Sequence, residues 1–336
     1  MVVSVSATAG DAVNSPALLF IADTATAKVS DITVDKSQGV ANGNDHITYT
    51  AIVTDASGNP VKDQEVTWNA TPATANLSSA TSTTDSNGNT SVTITTLKAG
   101  SVNVTAQAGA SPAWNAPTTT FVGDKATAQI LDLKTNKSTA LANGTDSITF
   151  TGTVIDANNN VLEGVNVAWA VTPTTGVLST TTSASGNDGK ASVSLTSSQV
   201  ESYQVTATVN GKDETSGNVS FTADSASASL TSLTSDETSN LIAGNGSATL
   251  TAVVQDATGH PIAGAVVNWS SDNTTGNFSE TTSTTNSEGK AIVTFSGTHA
   301  QLTTITASSV NNSQKTVQVT IAPDTQSAQP VTVSGR

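Results

Sequence analysis

The stretch ANGNDHITYTAIVTDASGNPVKDQEVTW, residues 41–68, indicates most directly how this chain folds. Apolar residues occupy alternate positions in its first half: Ile47, Tyr49, Ala51 and Val53. A period of two is typical of a strand with one buried and one exposed face. The sequence DASGNP at 55–60 then supplies turn residues, and a second strand pattern ends at Trp68. The stretch therefore predicts two strands joined by a turn, without helical periodicity.

The same pattern recurs twice more along the chain. The recurring positions lie 101 and then 100 residues apart: Trp68, Trp169 and Trp269; Asp23, Asp124 and Asp224; Asp55, Asp156 and Asp256; and Gly88, Gly189 and Gly289. A fixed period indicates tandem structural units, and we expect three complete ones at 23–123, 124–223 and 224–323. Residues 1–22 match the end of a preceding unit and residues 324–336 the start of a following one. We therefore expect the chain to be a segment of a longer array.

Each unit has the pattern of an immunoglobulin-like sandwich. About seven or eight short strands are separated by turn residues, with one tryptophan on the third strand. We assign Trp68, Trp169 and Trp269 to the core, packed against aliphatic side chains alone because the chain has no cysteine. Adjacent units follow one another without a flexible linker, as at Phe121-Val-Gly-Asp124. The prediction is an all-β fold: three tandem immunoglobulin-like β-sandwich domains stacked end to end as an elongated rod.

The composition excludes several classes of partner. The 336 residues include 26 acidic and 12 basic side chains, giving a net charge of −14, so the chain is poorly suited to neutralise a row of phosphates. We expect no binding to nucleic acid. No segment approaches the ~20 apolar residues that span a bilayer, so we expect no membrane insertion of this chain. We expect a monomer.

The sequence contains no recognisable catalytic constellation. His46, His260 and His299 stand at unrelated positions in the units, and no serine lies in a G-x-S-x-G motif. We therefore predict no catalytic residues, no enzymatic activity and no cofactor.

The repeated segments resemble a known family. The likeness lies in residues 41–68, their counterparts at 142–169 and 243–269, and the stretch TDSNGNTSVTITTLKAGSVNVTA at 84–106. These segments are similar to the bacterial immunoglobulin-like (Big-1) repeats of the intimin and invasin adhesins, also called inverse autotransporters. The resemblance implies an extracellular stalk or passenger on the bacterial cell surface, anchored to the outer membrane through a part of the protein outside this chain. It implies a host cell-surface or extracellular-matrix protein, or a glycan, as the partner.

A second interpretation assigns the units to another secreted bacterial or phage protein, as a structural spacer or a binding module. Carbohydrate binding is one example of such a role. Sugar-binding surfaces usually present exposed aromatic rings, and only 4% of the residues here are aromatic. The low aromatic content therefore argues against carbohydrate binding.

Acidic residues recur at one end of each unit and are candidate calcium ligands. The candidates are Asp23, Asp55 and Asp85 in the first unit, Asp124, Asp156 and Asp188 in the second, and Asp224, Asp256 and Glu288 in the third. Calcium takes six to eight oxygen ligands, which clustered carboxylates supply. The alternative is that each acidic side chain caps its own turn through backbone N–H groups. We favour the alternative and predict no metal, because the third acidic residue changes position between units.

Trp114 is the one tryptophan outside the repeating set. It lies in the loop SPAWNAP, residues 111–117, and Thr215 stands 101 positions further on. Exposed aromatic residues are enriched at interaction hot spots, so Trp114 is a candidate ligand contact. The alternative, which we favour, is that Trp114 packs against the preceding joint and stiffens it.

Overall fold

The residues described by the computed structural model are 2–9, 11–14 and 18–326. The predicted terminal units at 1–22 and 324–336 lie partly outside these residues. Four short strands precede the first sandwich: β1 (Val2–Val3), β2 (Ser6–Ala9), β3 (Asp11–Asn14) and β4 (Leu18–Leu19). β1 pairs with β4, and β2 pairs with β3, both antiparallel. Within the described ranges, no helix has the length and apolar character needed to cross a bilayer.

The first sandwich contains ten strands. They are β5 (Lys28–Val34), β6 (Gln38–Val40), β7 (Ile47–Thr54), β8 (Glu65–Thr71), β9 (Asn76–Leu77), β10 (Thr81–Thr83), β11 (Asn89–Thr95), β12 (Gly100–Ala108), β13 (Trp114–Asn115) and β14 (Thr119–Val122). One sheet has the order β5-β7-β11-β9 and the other β10-β8-β12-β14-β6, with β13 paired to β12. β14 and β6 run parallel, and the other pairs are antiparallel.

The second sandwich repeats this arrangement strand for strand. Its strands are β15 (Gln129–Thr135), β16 (Thr139–Leu141), β17 (Ser147–Ile155), β18 (Asn166–Thr172), β19 (Val177–Leu178), β20 (Thr182–Ala184), β21 (Lys190–Thr196), β22 (Ser202–Val209), β23 (Lys212–Thr215) and β24 (Val219–Thr222). The sheets have the orders β15-β17-β21-β19 and β16-β24-β22-β18-β20, with β23 paired to β22.

The third sandwich differs only at its last strand. Its strands are β25 (Ser229–Ser235), β26 (Leu241–Ile242), β27 (Ala248–Gln255), β28 (Val266–Ser271), β29 (Gly276–Phe278), β30 (Thr282–Thr284), β31 (Lys290–Gly297), β32 (Leu302–Ser308) and β33 (Gln314–Ala322). The sheets have the orders β25-β27-β31-β29 and β26-β33-β32-β28-β30. A single long strand, β33, thus takes the place of the two that end each earlier sandwich.

Four 3-10 helical turns complete the secondary structure of the described residues. They are Thr24–Thr26, Lys125–Thr127, Ser225–Ser227 and Val310–Asn312. The first three open the three sandwiches, directly after Asp23, Asp124 and Asp224. The chain is therefore all-β, with three tandem immunoglobulin-like sandwiches stacked end to end as an elongated rod.

Each sandwich has its own hydrophobic core, which contains one tryptophan. Trp68, Trp169 and Trp269 are only 3%, 4% and 5% exposed. Each indole Nε1–H donates to a serine on the neighbouring edge strand: to Ser82 at 2.7 Å, to Ser183 at 2.8 Å and to Ser283 at 3.0 Å. The expectation of purely aliphatic surroundings is therefore wrong. The serines satisfy the one polar atom of each indole at the edge of the core.

A buried pair of hydroxyl groups in the first core has no counterpart at the equivalent positions of the other two cores. The hydroxyl groups of Tyr49 and Thr119 lie 2.5 Å apart, and both residues are 0% exposed. The equivalent residues in the other sandwiches are apolar: Phe150 with Val219, and Leu250 with Val319. The two hydroxyls are therefore present together or absent together, as expected when an unpaired buried hydroxyl is costly.

Candidate functional site: the joints between sandwiches

Each sandwich begins at a turn that two aspartates hold in place. Asp124 Oδ1 accepts a hydrogen bond from the N–H of Ala126 at 3.0 Å, which caps the 3-10 turn. The N–H of Asp124 donates to Oδ2 of Asp156, also at 3.0 Å. The other pairs with the same two kinds of bond are Asp23 with Asp55 and Asp224 with Asp256. We call each pair an aspartate clasp, and it ties the first turn of a sandwich to the turn after its second long strand.

The second aspartate of each clasp organises the turn in which it lies. Asp156 is fully buried, and its Oδ1 accepts hydrogen bonds from the N–H groups of Asn158 and Asn160, both at 2.8 Å. Its Oδ2 accepts a further bond from Asn160 Nδ2 at 2.8 Å. Burial raises the pKa of Asp156, but the bonds from Asn160, Asp124 and Asn158 outweigh it, so the pKa lies below its usual range.

The equivalent aspartates in the other clasps are also held in the charged form. Hydrogen bonds from the side chain and the N–H of Asn59 lower the pKa of Asp55 to about 2. For Asp256, burial raises the pKa, and bonds from the Asp224 N–H, Thr258 and His260 lower it far more. These carboxylates therefore stay ionised at any physiological pH.

The third member of each calcium candidate set does not join the clasp. Asp85 Oδ1 accepts the N–H groups of Asn87 and Asn89 at 2.8 and 2.9 Å. Asp188 and Glu288 face lysines, with Oδ2 3.6 Å from Lys190 Nζ and Oε2 2.7 Å from Lys290 Nζ. Among the residues that the structure describes, no three His, Cys, Asp or Glu side chains are placed to share a metal ion. The contacts of these acidic residues are those of turn capping and surface ion pairing.

The clasp turn of the second sandwich contacts the first sandwich through Asn160. Asn160 Nδ2 donates to the carbonyl of Leu97 at 2.9 Å, and Asn160 Oδ1 accepts from the N–H of Ala99 at 2.9 Å. Asn160 is only 7% exposed. With the bond to Asp156, both amide hydrogens and the amide oxygen of Asn160 are paired, so these hydrogen bonds fix the orientation of the amide.

Two more hydrogen bonds complete the first joint. Lys98 Nζ donates to the carbonyl of Asn158 at 3.0 Å, and Asn158 Nδ2 donates to the carbonyl of Ala41 at 3.2 Å. The turn between β11 and β12 therefore docks onto the clasp turn of the next sandwich. Gly123 allows this close approach, because a Cβ at that position would lie 2.4 Å from Leu162 Cδ2.

The second joint uses the same place in the fold with different chemistry. His260 stands where Asn160 stands in the first joint, and its Nε2 lies 2.9 Å from the carbonyl of Ser198, the equivalent of Leu97. Between residues 124 and 326, this is the one hydrogen bond that the structure places between the second and third sandwiches. The first joint has four such bonds, so the two joints differ in the number of contacts that hold them.

Trp114 lies at the edge of the first sandwich. It is 45% exposed and pairs with Ala106 across β12 and β13. Residues directly opposite in a ladder share a face, so Trp114 lies on the core-facing side, and β13 runs beside β5. By strand pairing its counterparts are Glu214 and Lys315. Thr215 is not the counterpart, because the hairpin of the first sandwich is one residue longer than that of the second.

Asn160 and His260 are the site residues that sequence reasoning missed. A usable signal existed: both follow the clasp aspartate by four positions, as Asn59 does in the first sandwich. His46, His260 and His299 share no position among the units, so residue identity alone does not single out His260. His260 stands out only when it is compared with Asn59 and Asn160, which are a different residue type at the equivalent position of the other two units.

The fold and its joints define the class of the protein: an array of immunoglobulin-like sandwiches whose neighbours dock directly on one another. The model of the bacterial Ig-like domain (group 1) family matches residues 29–122, 130–222 and 230–322, and the chain belongs to that family. The resemblance inferred from the repeated segments is thereby confirmed.

The relatives of this chain include an inverse autotransporter adhesin and intimin. The inverse autotransporter adhesin YeeJ of Escherichia coli K12 is 33% identical over 210 residues, which are 61% of this chain and 9% of YeeJ. Intimin of Escherichia coli O127:H6 is 37% identical over 183 residues, 54% of this chain and 19% of intimin. This chain thus spans less than a fifth of the length of either relative.

A solved structure resembles most of the array. The structure of FdeC, an Escherichia coli adhesin, covers 90% of this chain and all of its own chain, with 20% identity and a TM-score of 0.55. At this identity the likeness concerns the fold alone.

Proposed function

We propose that this chain is part of the stalk of a bacterial cell-surface adhesin, which holds a binding region away from the cell and toward a host cell-surface or matrix component. The observation that carries the proposal is the first joint, where four hydrogen bonds dock one sandwich on the next without a linker. A stalk needs such docking, because loosely tethered domains would collapse toward the surface that carries them. The similarity of this chain to intimin and YeeJ supports the same role.

The proposal makes a shape prediction that small-angle X-ray scattering tests. Three stacked sandwiches have a maximum dimension on the order of 100 Å or more, given ~3.3 Å of rise per strand residue. Inserting a four-residue Gly/Ser linker between Gly123 and Asp124 separates the docking surfaces, and we expect a shorter average dimension and a broader scattering profile. The same insertion in the β22–β23 hairpin, whose hydrogen bonds stay within the second sandwich, is the matched control. An unchanged profile for the joint insertion argues against a docked stalk.

A second candidate function is direct binding by the first sandwich. It is favoured by Trp114, a half-exposed aromatic side chain at a position where the other sandwiches carry Glu214 and Lys315. The purified chain is applied to epithelial cells and to immobilised matrix proteins at micromolar concentration. Binding that is lost in Trp114→Glu, with unchanged unfolding temperature, supports this candidate. Absence of binding at these concentrations supports a spacer role.

A lack of enzymatic activity and a monomeric state remain predictions. The molecular mass obtained from small-angle X-ray scattering tests the monomeric state.

A further inference from the structure

Both ring nitrogens of His260 face hydrogen-bond acceptors. Nε2 lies 2.9 Å from the carbonyl oxygen of Ser198 on the second sandwich. Nδ1 lies 3.1 Å from Oδ2 of Asp256, the buried clasp aspartate of the third sandwich. The imidazole therefore bridges the two sandwiches, and its side chain is only 16% exposed.

Only the doubly protonated ring satisfies both contacts. A neutral imidazole has one N–H and one bare nitrogen. With the hydrogen on Nδ1, the bond to Asp256 stays and the bond to Ser198 is lost. With the hydrogen on Nε2, a nitrogen lone pair faces the ionised carboxylate. The imidazolium donates from both nitrogens, and the bond to the carboxylate is then charge-assisted.

The neighbouring hydroxyl does not relieve the neutral ring. Thr258 Oγ1 lies 2.9 Å from Nδ1 and 2.8 Å from Asp256 Oδ1. A hydroxyl has a single hydrogen, and the ionised carboxylate takes it, since a carboxylate is the stronger acceptor. Thr258 therefore offers an oxygen to Nδ1, which again favours a protonated nitrogen there.

The other ionisable groups on the surrounding elements have their own partners. On the third sandwich, the carboxylate of Asp224 caps the N–H of Ala226, and Glu288 pairs with Lys290. On the second sandwich, Glu201, the ionisable residue of the Ser197–Glu201 turn, accepts a hydrogen bond from Thr175. Asp256 is thus the charged group in direct hydrogen-bond contact with the ring.

The first joint has no group that titrates at this place. Asn160 makes the equivalent contacts with an amide that donates to Leu97 and Asp156 at any pH. Lys98 and Asn158 add bonds that the second joint lacks.

We propose that the second joint is a proton-dependent hinge, docked when His260 is protonated and released as His260 loses its proton, while the first joint stays docked at either pH. The hinge rests on the geometry of His260; its meaning for presentation of a binding region rests on the proposed function. A stalk of this kind is stiff in a mildly acidic environment and bends between its second and third sandwiches at higher pH.

Pulsed electron spin resonance between two spin labels measures the docking directly, and the absence of native cysteines makes each label unique. Ser91, Ser192 and Ile292 are exposed residues at equivalent places in the three sandwiches. Labels at 91 and 192 report on the first joint, and labels at 192 and 292 report on the second. Between about pH 5.5 and pH 8, we expect the docked-to-undocked ratio at the second joint to fall by about tenfold, the equivalent of one hydrogen bond of ~1.4 kcal/mol. The distance distribution should broaden accordingly, and that of the first joint should stay the same.

Exchanging the two residues provides the matched controls. In His260→Asn the second joint should lose its pH dependence. In Asn160→His the first joint should acquire a pH dependence, weakened by the bonds from Lys98 and Asn158. A second-joint distribution that is the same at both pH values, or a pH response that persists in His260→Asn, overturns the proposal. Because the readout is joint geometry and not adhesion, this result is independent of whether the chain serves as a stalk.

Discussion

The Tyr49–Thr119 pair allows a double-mutant cycle whose end point already exists in the same chain. The second sandwich has Phe150 and Val219 at these two positions. Tyr49→Phe removes one hydroxyl and leaves the Thr119 hydroxyl buried without the partner that lies 2.5 Å away. Thr119→Val does the reverse. The double variant reproduces the apolar pair of the second sandwich.

The expected magnitudes follow from the burial of both groups. Each single substitution should lower the free energy of unfolding of the first sandwich by about 1–3 kcal/mol, the cost of an unsatisfied buried polar group. The double substitution should lie within about 1 kcal/mol of the natural protein, because no polar atom is left unpaired. The coupling energy of the cycle, which is the sum of the two single losses less the double loss, is then about 2–6 kcal/mol, well above the additivity error of distant sites.

Hydrogen exchange measured by mass spectrometry resolves the first sandwich from its neighbours. Peptides covering β7 and β12 report the opening free energy of that sandwich, and peptides covering β17 and β22 serve as an internal reference. If the effects of the two single substitutions simply add in the double variant, the hydroxyls are not coupled and the argument from paired polarity fails.

Three further predictions concern the clasps and the joints. Asn160→Ala removes the amide that bonds to Leu97, Ala99 and Asp156, so the free energy of unfolding of the second sandwich, measured by hydrogen exchange, should fall by about 1–3 kcal/mol. Lys98→Ala removes a more exposed hydrogen bond and should cost less than about 1 kcal/mol. Equal losses in the two variants would contradict the role of Asn160. Hydrogen bonds lower the pKa of Asp55 to about 2, below its ordinary value, so the stabilising contribution of Asp55 is complete above about pH 4 and is lost as the pH falls toward 2. The stability of the first sandwich should therefore fall less steeply over that pH range in Asp55→Asn. Identical acid-unfolding profiles for the two proteins would refute this prediction. Gly123→Ala places a methyl group 2.4 Å from Leu162 Cδ2 and should destabilise the joint by about 1–3 kcal/mol, as measured by calorimetry. Gly217→Ala is the control and should be nearly neutral, because the space around its Cβ is open. A neutral Gly123→Ala would show that Leu162 moves aside freely.

Local sequence patterns predicted the fold because every unit carries them in full. The alternation around Tyr49 and the turn residues at 55–60 indicate strands and turns from neighbours in the chain alone, and the recurrence of Trp68, Trp169 and Trp269 gives the number of units. The tryptophan environment was predicted incompletely. Ser82 lies fourteen residues after Trp68, and only the pairing of β10 with β8 brings it to the indole.

The joints could not be predicted in the same way. The contacts of Asn160 with Leu97 and Ala99 join residues more than sixty positions apart in two different sandwiches. No local periodicity encodes such a contact, since it depends on how two complete domains approach each other. The calcium candidates illustrate the same limit: the sequence placed three acidic residues per unit at one end, and backbone N–H groups and lysines turned out to be their partners.

The sequence by itself determined the class of fold, the number of sandwiches and the family, because those properties follow from side-chain period, turn chemistry and recurrence. Only the tertiary structure decided that one joint has four hydrogen bonds, two of them made by the Asn160 amide, and that the other has one, made by the His260 imidazole. The physical reason is that hydrogen bonding is directional and short-ranged. The role of Asn160 or His260 therefore depends on acceptors that the preceding sandwich presents, which the residue's own neighbours in the chain do not specify.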